Sequence, residues 1–545
     1  MNVLILLASF CALTPNDDGV RGADDSASIQ RAVDRAAASG TGKVVIPRFN
    51  ERTGRCGWTI SRAILLPGDM TVVIDNATLT MADGVYENFF RSANIWTEKG
   101  RTPAGELRDI RIVGVGNAVL DGGEANDLCE ATSCKDGRPH VRRNCPVLFA
   151  NVRNFSVSGL AVARHRYWGL CFNHCRYGKI SDIRFVAGYD RRNQDGINLR
   201  NGCSEIAIEN ISGQTGDDMI ALSAIDSPRA DEWAYLVEGR DDDIHDVSIR
   251  NVTGAAVGHP LVALRNHNGA KIYNISIENV ADTEFSDPCL ETQRPRYALI
   301  RIGNGIYWSK SRSVLGDTSG IVVRNIAARY SDVGIVVNAT LRDSLFSGIV
   351  CGGPCRAAVS TFGTVWLGPG ATMENVTIEN ATVAAAEGAT VFDSRFINSD
   401  DHLSNVVLRN CTVAANGSAD TIDFKRVDVE SGPRPACLVD GVSEPFRVAE
   451  AGPIVRWRAK KPAGTDMRVT FAVAPDAGGA PGAWGEFASY TNNASLPAAA
   501  GDWVRYRVAH RDAEGKKAIL HFVNCGNVMH TRWTVVDGTM GKEGK

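Results

Sequence analysis

Residues 191–223 read RRNQDGINLRNGCSEIAIENISGQTGDDMIALS, and this stretch decides the fold. At its centre, Ile206-Ala207-Ile208 alternates in the manner of a short, half-buried strand. Acidic turns lie on either side of that strand, with Asp195 in NQDG and the pair Asp217 and Asp218 in GDD. A strand between two matching acidic turns predicts stacked coils with a polar face, and we expect the chemistry on that face.

The strand pattern of this stretch recurs along the chain. An Asn or charged residue, an alternating apolar triplet and a closing Asn or Gly recur in RDIRIVG (108–114), RNFSVSG (153–159), SEIAIEN (204–210), HDVSIRN (245–251), YNISIEN (273–279), SGIVVRN (319–325), ENVTIEN (374–380) and SNVVLRN (404–410). The separations are roughly one or two times a period in the mid-twenties, which indicates a solenoid. One dominant strand in each repeat and no second helix predict an all-β parallel β-helix, in which successive coils pair.

The two ends of the chain carry different patterns. Residues 24–39 predict an amphipathic helix, followed by a strand at 43–47, and such a helix is expected to cap the first coil. Residues 1–13 are apolar but lack a preceding basic residue and a clear cleavage site, so we expect a first strand there instead of a secretion signal. No other stretch is long and apolar enough to span a bilayer.

After about Gly432 the repeat gives way to aromatic-bearing strands, RVTFAVA, WVRYRVA and AILHFVN, separated by Pro-, Gly- and Ala-rich loops. This change predicts two domains, a β-helix over residues 1–431 and a small C-terminal β-rich, sandwich-like module over residues 432–545. The module is interpreted as a cap or an oligomer contact, because aromatics on alternating strands usually form a core. A carbohydrate-binding module is the alternative, and the oligomeric state is left open.

Charge and cysteine content narrow the setting. A formal net charge of -3 gives no global reason to expect nucleic acid or an anionic membrane as a partner. The fourteen cysteines include the close pairs Cys129/Cys134, Cys171/Cys175 and Cys351/Cys355. These pairs predict local disulfides and a secreted or periplasmic protein. Buried free thiols are the alternative, and the spacings do not form the paired knuckles of a structural zinc site.

The acidic turns are the candidate site. Three carboxylates in one groove repel one another, so at least one is expected to have a raised pKa, and the resulting acid and base are what glycosidic cleavage needs. A calcium-binding or merely solvated loop is the alternative. The preferred interpretation needs neither a metal nor a cofactor.

Over roughly residues 3–413 the sequence resembles the family 28 glycoside hydrolases, the polygalacturonases and their relatives. The resemblance rests on DDSASIQRAVDRA with GKVVIP, on RYWGLCFNHC (166–175), and on the ordered elements NQDG (193–196), GDD (216–218), GHP (258–260) and RIG (301–303). It implies a right-handed, pectin-lyase-like parallel β-helix. It also implies an inverting hydrolase acting on a pectic or other uronate-containing polysaccharide or oligosaccharide.

The resemblance also implies roles for individual residues. Asp217 is expected to be the general acid, while Asp195 and Asp218 hold and deprotonate the water. His259 is expected to tune the acid, and Arg301 to bind the sugar beside the scissile bond. Asn193 and Trp168 are also expected to contact substrate. Independently of the resemblance, local basic residues that include His165, Arg166 and Arg192 are expected to line a positive groove for uronates, with solvated turn arginines as the alternative.

Two departures from the family pattern affect the substrate more than the reaction. Pro260 replaces the Gly that follows His in the usual GHG, and Gly303 replaces the Lys of the usual RIK. The insertion at residues 224–243 is expected to form a loop over the groove and to favour exo-action or a branched substrate.

Two competing functions remain open at the level of sequence. One is a β-helix polysaccharide lyase, and the other is a tail-spike or adhesin-type protein that binds glycans without cleaving them.

Overall fold

The computed structural model of the 545-residue chain describes residues 12–124, 144–188, 193–225, 236–267, 269–287, 298–303, 313–361, 372–385, 389–393, 402–415, 421–424, 427–428, 436–439, 442–449, 451–460, 464–491, 494–511, 519–525, 528–530 and 533–536. Nearly all of the regular structure in these residues is β-strand.

The N-terminal helix α1 spans Asp25–Ala38. The Asp24 carboxylate accepts a hydrogen bond of 2.7 Å from the Ala27 amide, which satisfies one of the free N–H groups at the helix start. The buried face of the helix includes Ile29 and Val33 and contacts the first strands, so the predicted cap is confirmed. The predicted first strand lies almost wholly outside the described residues; near its end, Leu13 bridges to Val44.

The strands of the first coils are β1 Lys43–Pro47, β2 Phe49–Asn50, β3 Arg55–Cys56, β4 Trp58–Ile60, β5 Ile64–Leu66, β6 Met70–Asp75, β7 Thr78–Met81, β8 Phe90–Ser92, β9 Leu107–Val115 and β10 Val119–Asp121. Two short 3₁₀ helices, Lys99–Arg101 and Pro103–Gly105, precede β9.

The strands of the central coils are β11 Val147–Ala150, β12 Val152–Ser158, β13 Ala161–Ala163, β14 Leu170–Asn173, β15 Arg176–Val186, β16 Ile197–Arg200, β17 Ser204–Thr215, β18 Ile220–Ile225, β19 Ile244–Ala256 and β20 Val262–His267.

The strands of the last coils are β21 Ile272–Asp282, β22 Ile300–Ile302, β23 Thr318–Ala328, β24 Val333–Val337, β25 Thr340–Cys351, β26 Ala357–Ser360, β27 Thr372–Ala385, β28 Thr390–Asp393, β29 His402–Arg409, β30 Cys411–Ala415, β31 Thr421–Phe424 and β32 Val427–Asp428.

Among the described residues these strands form a 19-stranded sheet and an 11-stranded sheet that share one core. All eight predicted copies of the repeat lie in the larger sheet, which confirms the parallel β-helix. Within it, Ile206 pairs in parallel with Val247, and Val247 with Ile275. Each of these side chains is at most 2% exposed. Full burial of one such side chain stabilises the fold by about 1.5–3 kcal/mol, so the stacked apolar triplets hold the coils together.

The Asn that closes each repeat has a structural reason. Asn210, Asn251 and Asn279 adopt left-handed backbone conformations, which Asn tolerates better than most residues. Their side-chain amides form a ladder from coil to coil, with Asn251 donating to Asn210 at 3.0 Å and Asn279 donating to Asn251 at 2.9 Å. The recurring Asn therefore bends the strand and ties neighbouring coils.

The sheet pairing changes between residues 428 and 436. The later strands are β33 Ala436–Val439, β34 Val442–Ser443, β35 Phe446–Arg447, β36 Ile454–Lys460, β37 Asp466–Ala474, β38 Ala488–Ser489, β39 Ala494–Ser495, β40 Trp503–Arg511, β41 Ile519–Cys525, β42 Val528–His530 and β43 Trp533–Val536. Within the described part of the chain they form a seven-stranded and a four-stranded sheet with a second core between them. The division of the chain into two domains stays a prediction.

The disulfide prediction is wrong for the two cysteine pairs that can be assessed. Cys171 and Cys175 form no disulfide with each other, because Cys171 packs in an outer cluster with Tyr167, whereas Cys175 packs in the central core. Cys351 and Cys355 are also free, and both thiols donate to the same carbonyl oxygen, that of Ala357. Cys129 and Cys134 lie outside the described residues.

A search of the described residues finds no helix long and apolar enough to cross a membrane.

Candidate active site

Parallel pairing of two short strands brings the acidic turns together. Ile197 of β16 pairs with Ile220 of β18. Asp195 and Asp218 each lie two residues before these partners, so they occupy equivalent positions on adjacent coils. Asp195 and Asp217 are 22 residues apart in the sequence, which is close to one coil and favours their stacking. The register instead aligns Asp195 with Asp218.

Asp217 instead aligns with His259 on the following coil. Ile220 pairs with Val262, and Asp217 and His259 each lie three residues before these partners. The His259 Nδ1 atom lies 3.0 Å from Asp217 Oδ1 and 3.7 Å from Asp218 Oδ1. The Asp217 side chain is 19% exposed, while that of Asp218 is 1% exposed. Asp217 is therefore the carboxylate of this adjacent pair that a substrate can reach.

Two arginines hold the buried Asp218 carboxylate. Arg301 Nη2 donates to both Asp218 oxygens, at 3.2 and 3.1 Å. Arg265 Nη2 lies 3.3 Å from Oδ2 of the same carboxylate. Arg301, expected to bind sugar, thus also fixes the orientation of a carboxylate.

Arg265 is a site residue that the sequence analysis did not single out. It lies on β20, where Val262 and Leu264 enter the core and the residues between and after them face outward. Alternation along VALRNH was the available signal, since it places an arginine on the same face as the acidic turns.

The surroundings of Asp195 alter the pKa of its carboxyl group. Burial raises the pKa of Asp195 well above its ordinary value, and the negative charges of Asp217 and Asp218 raise it further. Arg265 and a hydrogen bond from Asn198 act in the opposite direction. The prediction that one of the three acids has a raised pKa is confirmed.

Hydrogen bonds to the preceding coil support the Asp195 turn. His165 Nε2 donates to the Asp195 carbonyl oxygen at 2.9 Å, and Gln194 Nε2 donates to the His165 carbonyl at 2.6 Å. Tyr167 is fully buried nearby, and burial raises the pKa of its hydroxyl well above 10. Sequence reasoning gave His165 a place in a basic groove but assigned no role to Gln194 or Tyr167, since the three residues come together only through the stacking of coils.

Trp168 and Arg166, two of the predicted substrate-binding residues, are engaged in contacts within the protein. Trp168 stacks on Tyr167 at 4.7 Å and lies under the Arg200 guanidinium, so it is part of a packed cluster. Arg166 donates to the backbone carbonyls of Val85 and Gly122, which gives no support to a role in substrate binding.

Asn193 is buried in the turn before Asp195, with a left-handed φ of 60°. Arg192 lies outside the described residues. Substrate binding by these residues stays a prediction.

The two departures from the family pattern, Pro260 and Gly303, differ in their effect on the structure. Pro260 does not displace His259, which still contacts Asp217. Gly303 has a φ of 82°, and a Cβ at this position would lie 2.3 Å from the Ala339 Cβ. A lysine therefore does not fit at position 303 of this backbone.

The insertion at 224–243 is described only in part, because residues 226–235 lie outside the described residues. After that gap, the Glu238 amide donates to the Arg101 carbonyl at 2.8 Å. Arg240 donates to Asn151 and to Glu106, so this end of the insertion packs on the segment before β9. His245, a histidine at a repeat position on β19, stacks on Tyr273 and pairs with Asp246.

Among the described residues, one group of side chains could hold a metal ion. Ligand atoms of Asp217, Asp218 and His259 all lie within 4.8 Å of one another. The same three groups are also those that an acid-catalysed cleavage requires, so the geometry alone is compatible with either use.

Comparison with known proteins finds a family match over part of the chain. Residues 56–228 match the family model described as glycosyl hydrolases family 28, which confirms the resemblance over these residues. Asp195, Asp217 and Asp218 lie within the matched residues.

Two similar curated proteins are exopolygalacturonases of Zea mays. One is 25% identical over 248 residues, covering 41% of this chain and 56% of the relative; the other is 24% identical over 250 residues with the same coverage. The aligned region therefore spans little more than half the length of either relative.

Among solved structures, the family 28 exopolygalacturonase of Yersinia enterocolitica is similar with a TM-score of 0.42 and 16% identity. The match covers 75% of this chain and 76% of that one. This similarity is distant, and the fold assignment rests on the strand pairing described above.

Proposed function

We propose that this protein is an inverting glycoside hydrolase, similar to polygalacturonases, that cleaves a uronate-containing polysaccharide or oligosaccharide. One observation carries the proposal. A partly exposed carboxylate, Asp217, lies beside His259 and above the buried carboxylates Asp195 and Asp218. Two arginines hold Asp218 in place, so the three acids have different surroundings and can take different roles.

The proposed reaction needs one proton transfer on each side of the scissile glycosidic bond. Asp217 donates its proton to the glycosidic oxygen as the bond to the anomeric carbon breaks. Asp195 and Asp218 hold a water molecule on the opposite face, and its oxygen attacks the anomeric carbon while its proton passes to a carboxylate. Once ionised, Asp195 can accept this proton, because the burial and the negative charges that raise its pKa make its carboxylate a stronger base than a solvent-exposed aspartate.

His259 and the arginines act on this arrangement indirectly. The His259 ring at 3.0 Å orients the Asp217 carboxyl. Arg301 fixes the Asp218 carboxylate in the plane that the two hydrogen bonds define. Both effects are pre-organisation, which removes reorientation from the reaction barrier.

Arg265 supports an acidic substrate. It lies one coil before Gly303, the position where the family pattern has lysine, because Leu264 pairs with Ile302. The Arg265 Nε atom is buried and has no hydrogen-bond partner among the described residues. We propose that this cation takes the place of the missing lysine and binds a substrate carboxylate.

Exo-action is supported by the similarity to the exopolygalacturonases of Zea mays. Release of monomers or dimers from the start of a digest is the expected result. Early release of long oligomers would overturn this part of the proposal. A polymeric acidic substrate also supports a secreted or periplasmic location, which cell fractionation tests directly.

The proposal is tested by screening pectic and other uronate polysaccharides with the wild type, Asp217→Asn and Asp34→Asn. Asp34 is an exposed acid on α1 and serves as the matched control. Reducing ends should appear with the wild type and the control and should be lost with Asp217→Asn. Activity that survives Asp217→Asn contradicts the assignment, and an unsaturated product that absorbs in the ultraviolet shows a lyase instead.

A further inference from the structure

The outer face of the seven-stranded sheet carries two neighbouring arginines. On β40, Val504, Tyr506 and Val508 are buried in the second core. Side chains alternate along a strand, so Arg505 and Arg507 project from the opposite face, with their Cα atoms roughly 7 Å apart.

Aromatic rings hold these arginines in place. The Arg505 guanidinium lies 4.2 Å from the Trp484 ring and 5.1 Å from the Phe487 ring, and that of Arg507 lies 4.2 Å from Phe487. On the neighbouring strand β37, Arg505 pairs with Ala472 and Arg507 pairs with Thr470. Both partners are small, so their side chains do not cover the guanidiniums. Such contacts fix the plane of each guanidinium without using its N–H donors.

Among the described residues, no acidic side chain pairs with Arg505 or Arg507, although Glu486 is adjacent to Phe487. Burial lowers the pKa of Arg505 and the charge of Arg507 lowers it further, and the Arg505 Nε atom is buried without a hydrogen-bond partner. By contrast, Arg447 on the same sheet is paired with Asp476 at 3.3 Å.

We propose that Arg505 and Arg507, framed by Trp484 and Phe487, form an accessory binding site for an acidic polysaccharide. Each guanidinium would take one carboxylate of the chain through its free N–H groups. A flat, open face with two cations at a fixed spacing suits an extended polymer with repeated carboxylates better than a single small anion. The choice of uronates among acidic polymers rests on the proposed function.

The test is binding of the full-length protein to immobilised polygalacturonate in the Asp217→Asn background, which prevents digestion. Arg505→Gln together with Arg507→Gln should weaken binding about tenfold or more, equivalent to about 1.4 kcal/mol. Arg324→Gln removes one exposed arginine of the β-helix and is the charge-matched control for the single variant Arg507→Gln. Arg507→Gln alone, at an exposed position, tests the site without disturbing the stacked Arg505.

Two results would overturn the inference. One is unchanged binding in the folded double variant, as judged by circular dichroism and thermal melting. The other is an equal loss of binding to dextran sulfate and to polygalacturonate, which would indicate general anion exchange. Cleavage is measured separately on the wild type. Absent cleavage with arginine-dependent binding would reject only the proposed function.

Discussion

His259 and Asp217 lie on consecutive coils of the β-helix, with Nδ1 and Oδ1 3.0 Å apart. The contact exists because β18 and β20 pair in a register that stacks the two turns. It joins a histidine to the most accessible of three clustered acids, and this pairing separates the proposed general acid from the two buried carboxylates.

The contact between His259 and Asp217 predicts that substitutions of His259 lower activity by different amounts. His259→Ala should lower kcat/KM by roughly tenfold to a hundredfold, because Asp217 loses the group that orients it. His259→Asn should recover part of the activity, since its amide can still donate near the Nδ1 position. His245→Asn is the matched control, and equal losses in all three variants would contradict the assigned role.

The buried Asp195 predicts a pH-dependent stability. Because the pKa of Asp195 is raised in the folded state, its contribution to stability is full below the pKa of the unfolded chain, about 4. That contribution is lost as the pH rises through the folded-state pKa, by up to about 1.4 kcal/mol per pH unit.

Asp195→Asn should therefore be more stable than the wild type at neutral pH, with the difference shrinking towards pH 4. Urea unfolding across the pH range, with Asp34→Asn as control, provides the measurement. A constant difference between wild type and Asp195→Asn at every pH would refute the prediction.

Arg265 predicts a substrate-specific loss of binding. Arg265→Gln should raise KM for a uronate oligosaccharide by roughly tenfold to a hundredfold, because a hydrogen bond to a charged group contributes about 1.5–3 kcal/mol. Arg265→Lys should lose less, since the charge remains. The control is Arg250→Gln, an exposed arginine of β19. A fall in kcat with no change in KM would instead show that Arg265 acts only by positioning Asp218.

Gly303 predicts a steric cost. Gly303→Ala should be destabilised by about 1–3 kcal/mol more than Gly54→Ala, as measured by thermal or urea unfolding. Both glycines have positive φ, so the backbone penalty is shared, but a Cβ at position 54 has nothing within 4 Å. Equal stabilities of the two variants would show that the backbone at 303 can move to accept a side chain.

The metal alternative has a direct test. Asp217, Asp218 and His259 could together hold a cation, yet the proposed reaction needs none. Activity should be unchanged after dialysis against EDTA and unaffected by added Ca²⁺ or Zn²⁺. Loss of activity with EDTA, restored by one metal, would replace the acid role of Asp217 with a ligand role.

The repeat made the fold predictable from sequence, because each apolar triplet and each closing Asn has a local physical reason. Ile206 and its partners form the core, and Asn210 and its partners bend the strands. The three acids were also found in this way, because carboxylates in Gly-rich turns stand out from the repeat.

Other features depend on register and could not be counted from the sequence. Asp195 stacks with Asp218 and not with Asp217, because this coil is 23 residues long and Asp217 follows Asp195 by only 22 residues. Arg265 joins the site because it pairs with Ser223, which lies 42 residues earlier in the chain. The turns between them are irregular, so the sequence spacing does not reveal this pairing. The Cys171/Cys175 pair misled because Cys171 lies on β14 and packs in the outer cluster, whereas Cys175 lies past the end of β14 and packs in the central core.

The most direct test of the central claim is the anomeric configuration of the first product, followed by NMR during hydrolysis of a uronate oligosaccharide. The account predicts inversion with the wild type, because water attacks from the face opposite to the bond that Asp217 protonates. It also predicts no product with Asp217→Asn. Retention of configuration, or hydrolysis by Asp217→Asn at the wild-type rate, would contradict it.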